Sequence, residues 1–200
     1  WIVGPGIGTS DSNVATIHTL LNLSSPLVID ADAITLISQN SELQHELRNR
    51  HHRELITVLT PHWGEARTLA LGLGIQLSDV AVIAAQQLSD ATSAVVYLKG
   101  SVGTVATPQG VVVVTDRMSP HLSTAGSGDV LAGLMASVIA HHKPASNVDA
   151  AHCVAAAIQV HSAAAEIIAE DDEPVVAEEI EQQIPVAIAE FRESVSSEYQ

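Results

Sequence analysis

The string Ala125-Gly126-Ser127-Gly128-Asp129 concentrates more chemistry than any other segment of this sequence. It opens the apolar run VLAGLMASVIA, so two glycines flanking a serine fall at a helix N-terminus. Glycines there let backbone N–H groups converge, which makes a hole for an anion such as phosphate. Asp129 then stands in the first helical turn, where the helix dipole favours a carboxylate. From that place it can take the proton of a hydroxyl attacking a phosphoryl group held in the hole. Ser and Asp are also favoured at helix starts and Gly in turns, so capping accounts for the same string equally well.

Four further groups could act on a ligand. Lys99, one of only two lysines, ends an apolar strand just before Gly100. It reads either as a point-charge contact to phosphate or as a side chain snorkelling out of the sheet edge. His62 and Glu65 lie three apart in Thr60-Pro-His62-Trp-Gly64-Glu65, as a ligand contact or as a turn followed by an acid in a first helical turn. Gly4-Pro-Gly6-Ile-Gly8 permits close backbone approach to a ligand, but its spacing is not the dinucleotide fingerprint. Asp30-Ala-Asp32 places two carboxylates in a phosphate or metal neighbourhood. No Walker A loop occurs, because Lys99 precedes its glycine. His141, His142, His152 and His161 lack Cys or carboxylate partners at metal spacing and read as structural, so no motif binds a metal directly. Cys153, inside AAHCVAAAI, reads as a small buried hydrophobe rather than a nucleophile.

All five groups follow an apolar strand. WIVG, PLVID, ELITVLT and AVVYLKG alternate with helical patterns over 12–22, 33–48, 64–73 and 79–90. Strands apolar at every position predict a parallel sheet buried on both faces. VVYLKG, GTVAT and VVVVT then follow closely, with Pro108-Gln109-Gly110 as a turn, which predicts an antiparallel hairpin near 103–114. Helices follow over 129–142, 147–169 and 176–193, broken at Lys143-Pro144 and at 171–174. The expected fold is a three-layer α/β/α sandwich. Ligands of such open sheets sit beyond the carboxyl ends of the strands, and that is where every candidate group falls.

Composition narrows the partners. The chain has 200 residues, with 23 acids against 8 Lys and Arg, and a net charge of −15. A nucleic-acid binder needs a basic footprint, and with aromatics at only 2% no stacking platform exists either. A single cysteine cannot form an internal disulfide and points to a reducing compartment. No apolar stretch is expected to span a membrane and no basic leader opens the chain, so the expected location is the cytoplasm. Residues 166–200 hold 11 of the 23 acids and one base, Arg192, which reads as a solvated helix face and frayed end, or as a subunit contact. Trp1 falls directly in a strand pattern, so the chain reads as a piece of something longer that begins just before a central strand. The whole of 1–200 is expected to form one domain, with 171–200 as an acidic helical tail.

The strings IVGPGIG, VIDADAIT, VLTPHWGEARTLA, VVYLKGSVGTVA and STAGSGDVLAGLMA, in that order, resemble the ADP-dependent NAD(P)H-hydrate dehydratases. These are ribokinase-like proteins, often grouped with carbohydrate kinases. The resemblance runs from Trp1 to about Ala165 and leaves the tail after Glu170 uncovered. It implies dehydration of hydrated NADH or NADPH, with ADP (or ATP) as phosphoryl donor, Mg²⁺ assisting, and AMP and phosphate released. It also implies roles for residues: Gly6, Gly8, His62, Gly64, Glu65 and Asp129 at the hydrate, with Asp129 as base. Lys99, Gly100, Ser101, Val102 and Gly103, together with Gly126, Ser127 and Gly128, would hold the nucleotide. The family's usual Gly-Asn pair ahead of the anion hole is replaced by Met118-Ser119, a threonine by Gly103 and a proline by Trp63. Family members also carry a further N-terminal portion and are oligomeric, so a homo-oligomer is expected. Two other functions share these motifs: a ribokinase-like kinase of a small alcohol, which would consume ATP and leave a stable phosphate ester, and a nucleotide-binding piece without turnover.

Overall fold

The computed structural model describes residues 1–169 and 175–198. Four strands, β1 (Ile2–Val3), β2 (Leu27–Ile29), β3 (Thr57–Leu59) and β4 (Val95–Leu98), pair in parallel in sequence order. β5 (Val102–Ala106) and β6 (Val112–Arg117) extend the same sheet antiparallel, giving the order β1-β2-β3-β4-β5-β6. Gly110, at φ 81°, donates its N–H to the Thr107 carbonyl and closes the expected hairpin.

Each parallel strand is added to the same edge, so crossovers of one hand carry their helices to one face. That face holds α1 (Asp11–Leu21), α2 (Ala31–Gln39), α3 (Ser41–His52), α4 (Trp63–Gly72) and α5 (Ala81–Thr92), packed on Leu27, Ile29, Leu59, Val96 and Leu98. The alternate residues Val28, Val58, Val95, Tyr97 and Val105 point the other way. They are covered by α6 (Ser127–His142) and α7 (Asn147–Ala169), and α8 (Ala177–Glu198) packs in turn on α7 and α6 through Ile180 and Ala187. The sandwich is the three-layer arrangement expected from the unbroken apolar strands.

Three expectations need correction. The single helix over 33–48 is two, because Asn40 is extended (φ −129°, ψ 110°) and its side chain accepts from Glu42 N and Leu43 N, capping α3. A side chain that can cap a new helix competes with continuing the old one. α7 is long and apolar enough to cross a membrane by length and composition, contrary to the reading of the sequence, but it is packed between α6, α8 and the sheet. Finally, α8 is more than a solvated face, since it buries Ile180 and Ala187 against α7. The predicted break at 171–174 lies outside the described residues, as do 170, 199 and 200.

Candidate active site

The carboxyl ends of β1 to β4 bring most of the candidate groups together. Gly4 passes so close to β2 that a side chain would collide with the Asp30 carbonyl, and its φ of 131° also requires glycine. The turn that follows is tied down from Asp32, whose Oδ2 accepts from Gly8 N at 2.8 Å. Gly6 is exposed at φ 65°. Ala31, between the two aspartates, has a left-handed φ of 46°, a strain that composition did not signal and that is common where chains are forced around a site.

Asp30 is 1% exposed, and its Oδ1 accepts from Lys99 Nζ at 2.6 Å. The pairing answers the puzzle of a lysine closing an apolar strand: a buried carboxylate holds it. The same contact aims Nζ toward Gly128, where a Cβ would lie 3.5 Å from it. One N–H is spent on Asp30, and the ammonium keeps two for a ligand. Asp30 and Asp32 are thus both engaged within the protein.

His62 is an N-cap. Its Nδ1 accepts from Gly64 N at 2.9 Å and Glu65 N at 3.2 Å, while Glu65 Oε2 accepts from His62 N, completing a capping box. A Cβ on Gly64 would strike the ring, so glycine is needed for this cap. Because Nδ1 accepts, the neutral ring carries its proton on Nε2, which lies 3.5 Å from Glu65 Oε1. His62 is exposed, and its backbone forms a parallel bridge with Lys99, whose N–H donates to Pro61 O. Trp63, in place of the family proline, stacks under the Arg67 guanidinium at 5.5 Å.

At α6, Gly126 adopts φ 87° as N-cap and no side chain caps the helix. Ser127 is buried and its hydroxyl donates to Leu122 O at 2.7 Å, so it serves the fold while its backbone faces the ligand side. Asp129 is exposed in the first turn.

A cavity of about 380 Å³ opens beside these groups. Lys99, Gly100, Ser101, Ser127 and Gly128 line it, as do Met118 and Ser119, the pair noted ahead of the anion hole. Tyr97, Leu122, Leu131 and His161 line it too and were not legible in the sequence. Met118 and Ser119 thus occupy the wall where the family has Gly-Asn, and Ser119 is held by α7, its N–H donating to Ser162 Oγ. Burial, then the charge of Asp30, pushes the Tyr97 phenol up, so it stays protonated. Val102 and Gly103 do not reach the cavity. Gly103 is buried in β5 at a register shift, and a side chain there would meet Thr115 Oγ1 at 2.6 Å, which gives a packing reason for glycine. Gly6, Gly8, His62, Gly64, Glu65, Gly126 and Asp129 lie outside the cavity lining. Cys153 is half-buried on α7 with its thiol pushed up, by burial first and then by Asp149, which suits an inert residue. The start of α6 and Lys99 Nζ stand together as a place that can hold an anion, with Asp129 exposed in the same first turn.

Comparison with known proteins agrees with this geometry. Residues 1–186 match the family described as NAD(P)H-hydrate dehydratase, so the family likeness extends past Glu170 into α8. The bifunctional NAD(P)H-hydrate repair enzyme Nnr of Mycobacterium tuberculosis is 37% identical over 150 residues, 75% of this chain and 30% of that protein. The ADP-dependent (S)-NAD(P)H-hydrate dehydratase of Neisseria meningitidis is 34% identical over 172 residues, 85% of this chain and 55% of that one. The chain therefore spans roughly a third to a half of the length of these relatives. Among solved structures, the ADP/ATP-dependent NAD(P)H-hydrate dehydratase of Bacillus subtilis, co-crystallised with ATP and Mg²⁺, superposes with a TM-score of 0.74 at 22% identity. It covers 95% of this chain and 64% of that one. A ribokinase-like superfamily protein from Enterococcus faecalis gives 0.72 at 23%, covering 95% and 62%. By the match along 186 of its residues, this chain belongs to the NAD(P)H-hydrate dehydratase family.

Proposed function

We propose that this chain carries the catalytic centre of an ADP-dependent dehydratase that restores NADH or NADPH from the hydrated cofactor. The observation that carries the reading is the convergence of an open helix N-terminus, a lysine held by a buried aspartate, and Asp129 in the same first turn. The hydrate's hydroxyl is a poor leaving group. In the reading, Asp129 accepts its proton as the hydroxyl oxygen bonds to the β-phosphorus of ADP and the bond to AMP breaks. The α6 backbone at Gly126 to Gly128 and Lys99 meet the charge that moves onto the phosphoryl oxygens. The new phosphate ester then leaves as phosphate while the adjacent C–H loses its proton, which regenerates the ring double bond. Lys99, Gly100 and Ser101 line the nucleotide side, with His62, Gly6 and Gly8 on the hydrate side.

Mg²⁺ belongs to this reading only as a companion of the nucleotide phosphates. Among the described residues no cluster of three His, Cys, Asp or Glu could hold a metal, and Asp30 is taken by Lys99. The residues do not make a protein cage for Mg²⁺, and no step is assigned to it. The remaining parts of the reading are a cytoplasmic location, supported by the single cysteine, and one domain over 1–200, supported by α8 packing on α7. Self-association through the exposed edge strand β1 is tested by sedimentation at micromolar concentration.

Asp129→Asn tests the mechanism. Asn caps helices and is nearly isosteric, so fold and nucleotide affinity are expected to persist. Dehydration of hydrated NADH with ADP should fall by ~10²–10⁴, the usual share of a general base. Near-full activity in that variant would remove Asp129 from the mechanism. Consumption of ATP with a stable phosphate ester as product would replace the dehydratase by the kinase.

A further inference from the structure

His161 is 2% exposed on α7, and neither ring nitrogen has a hydrogen-bond partner within the protein. Gln86 Oε1 is the other buried side-chain atom in this position among the described residues, but the Gln86 amide nitrogen donates to Asp90 and Thr107. His161 is therefore the buried side chain, among those residues, whose every polar atom is unmet. A buried polar group without a partner costs stability, so an unpaired one in a packed helix calls for an explanation.

The explanation lies in what the ring faces. His161 lines the cavity with Ser127, Gly128 and Lys99. The Ser127 hydroxyl beside it is already committed, donating to Leu122 O at 2.7 Å. Burial lowers the imidazole to about 4, against a smaller opposing pull from the Ser127 backbone beside the ring. The ring is thus neutral at ordinary pH and offers one N–H donor and one acceptor to the cavity. Its proximity to the Ser127 backbone sets it against the start of α6, where an anion is expected to sit.

We propose that His161 is a binding residue of the nucleotide site, its neutral imidazole donating an N–H to a phosphate oxygen held at the start of α6. This inference rests on the reading of the cavity as the nucleotide's. A neutral donor suits the place, because Lys99 and the helix N-terminus already answer the anion's charge. The phosphate oxygen supplies the partner that the fold itself does not give the ring.

Titration calorimetry of ADP and of adenosine, with thermal unfolding in the absence of ligand, tests this on the wild type, His161→Leu and His161→Gln. His161→Leu is expected to weaken ADP binding about tenfold, the scale of one buried hydrogen bond, and to leave adenosine binding unchanged. Its melting temperature should hold or rise, since an apolar side chain replaces an unmet polar one. His161→Gln, which keeps a donor, should recover most of the ADP affinity. In the wild type the imidazole ¹⁵N resonances should shift on adding ADP and stay put on adding adenosine, a readout that stands even if His161→Leu fails to fold. Unchanged ADP affinity, an equal loss for adenosine, or silent imidazole resonances in ADP-saturated wild type would each overturn the proposal. A wild type that does not bind ADP at all overturns the nucleotide reading itself and takes this inference with it.

Discussion

Arg50 and His161 are both sealed from solvent, at 0% and 2% exposure, yet their hydrogen bonding is opposite. Arg50, ahead of β2 and β3, spends all five N–H groups: on Thr57 Oγ1 and on the carbonyls of Leu21, Leu23, Ser25 and Ile56. It clamps the α1–β2 connection to the α3–β3 connection. Burial, and then Arg53, lowers its guanidinium to about 10, which leaves it charged at neutral pH. His161, at the carboxyl ends of the strands, has nothing. One end of the sheet is closed by a polar group that the fold satisfies completely; the other is left with polar groups for something else to satisfy. The comparison separates a buried residue that stabilises from one that waits for a ligand.

Removing the clamp is expected to have the largest effect. Arg50→Ala leaves several buried carbonyls without a donor and should cost at least about 3 kcal/mol in urea unfolding. Among molecules that stay folded, ADP affinity should not change. If affinity fell along with stability, the two ends of the sheet would not be independent and the comparison would break.

Lys99→Met comes next, because it mixes the two roles. It leaves Asp30 as an unpaired buried charge and should cost about 3 kcal/mol. Adding Asp30→Asn should restore most of that stability by removing the charge, but not the nucleotide affinity. A double variant that regained both would make Lys99 purely structural.

A pH series isolates His161. Its folded value, about 4, lies below the ordinary histidine value of 6.5, so between them the unfolded chain binds a proton that the folded chain refuses. Its contribution to stability is whole above pH 6.5 and is lost as pH falls toward 4, by up to about 3 kcal/mol. His161→Leu should flatten that part of the unfolding free-energy profile. An equal slope in both proteins would mean that the ring is already protonated or paired.

His62→Ala should have the smallest effect, about 1 kcal/mol, because it removes one N-cap. Calorimetric melting measures it. A loss in turnover larger than the loss in stability supports His62 on the hydrate side of the site; equal losses would leave it a helix cap alone.

The motif residues were legible where their chemistry is local. The glycine turn after β1, the His62–Glu65 spacing and the start of α6 each stand in the structure where their strings predicted, since turns and caps depend on a few neighbouring residues. The rest of the cavity wall was not legible. Leu122 comes from an irregular stretch after the hairpin, and His161 from a helix whose alanine-rich sequence shows no chemistry. Read in isolation, His161 looked structural, because a histidine on an apolar helix is uninformative until its neighbours are known. The join at Asn40 was missed for a related reason: the apolar pattern runs on across it, and only the side-chain cap reveals two helices.

The amino-acid sequence by itself determined the elements, the parallel-then-antiparallel sheet and the family, because unbroken apolar strands and five ordered motifs leave few other folds. Tertiary structure alone decided which polar groups are spent and which are free. Lys99 could have snorkelled to solvent; a buried Asp30, 69 residues away, holds it at the cavity instead. Arg50 and His161 are both polar residues on helices, and nothing local tells them apart. What separates them is the supply of partners at each end of the sheet, and that supply exists only once distant segments have packed together.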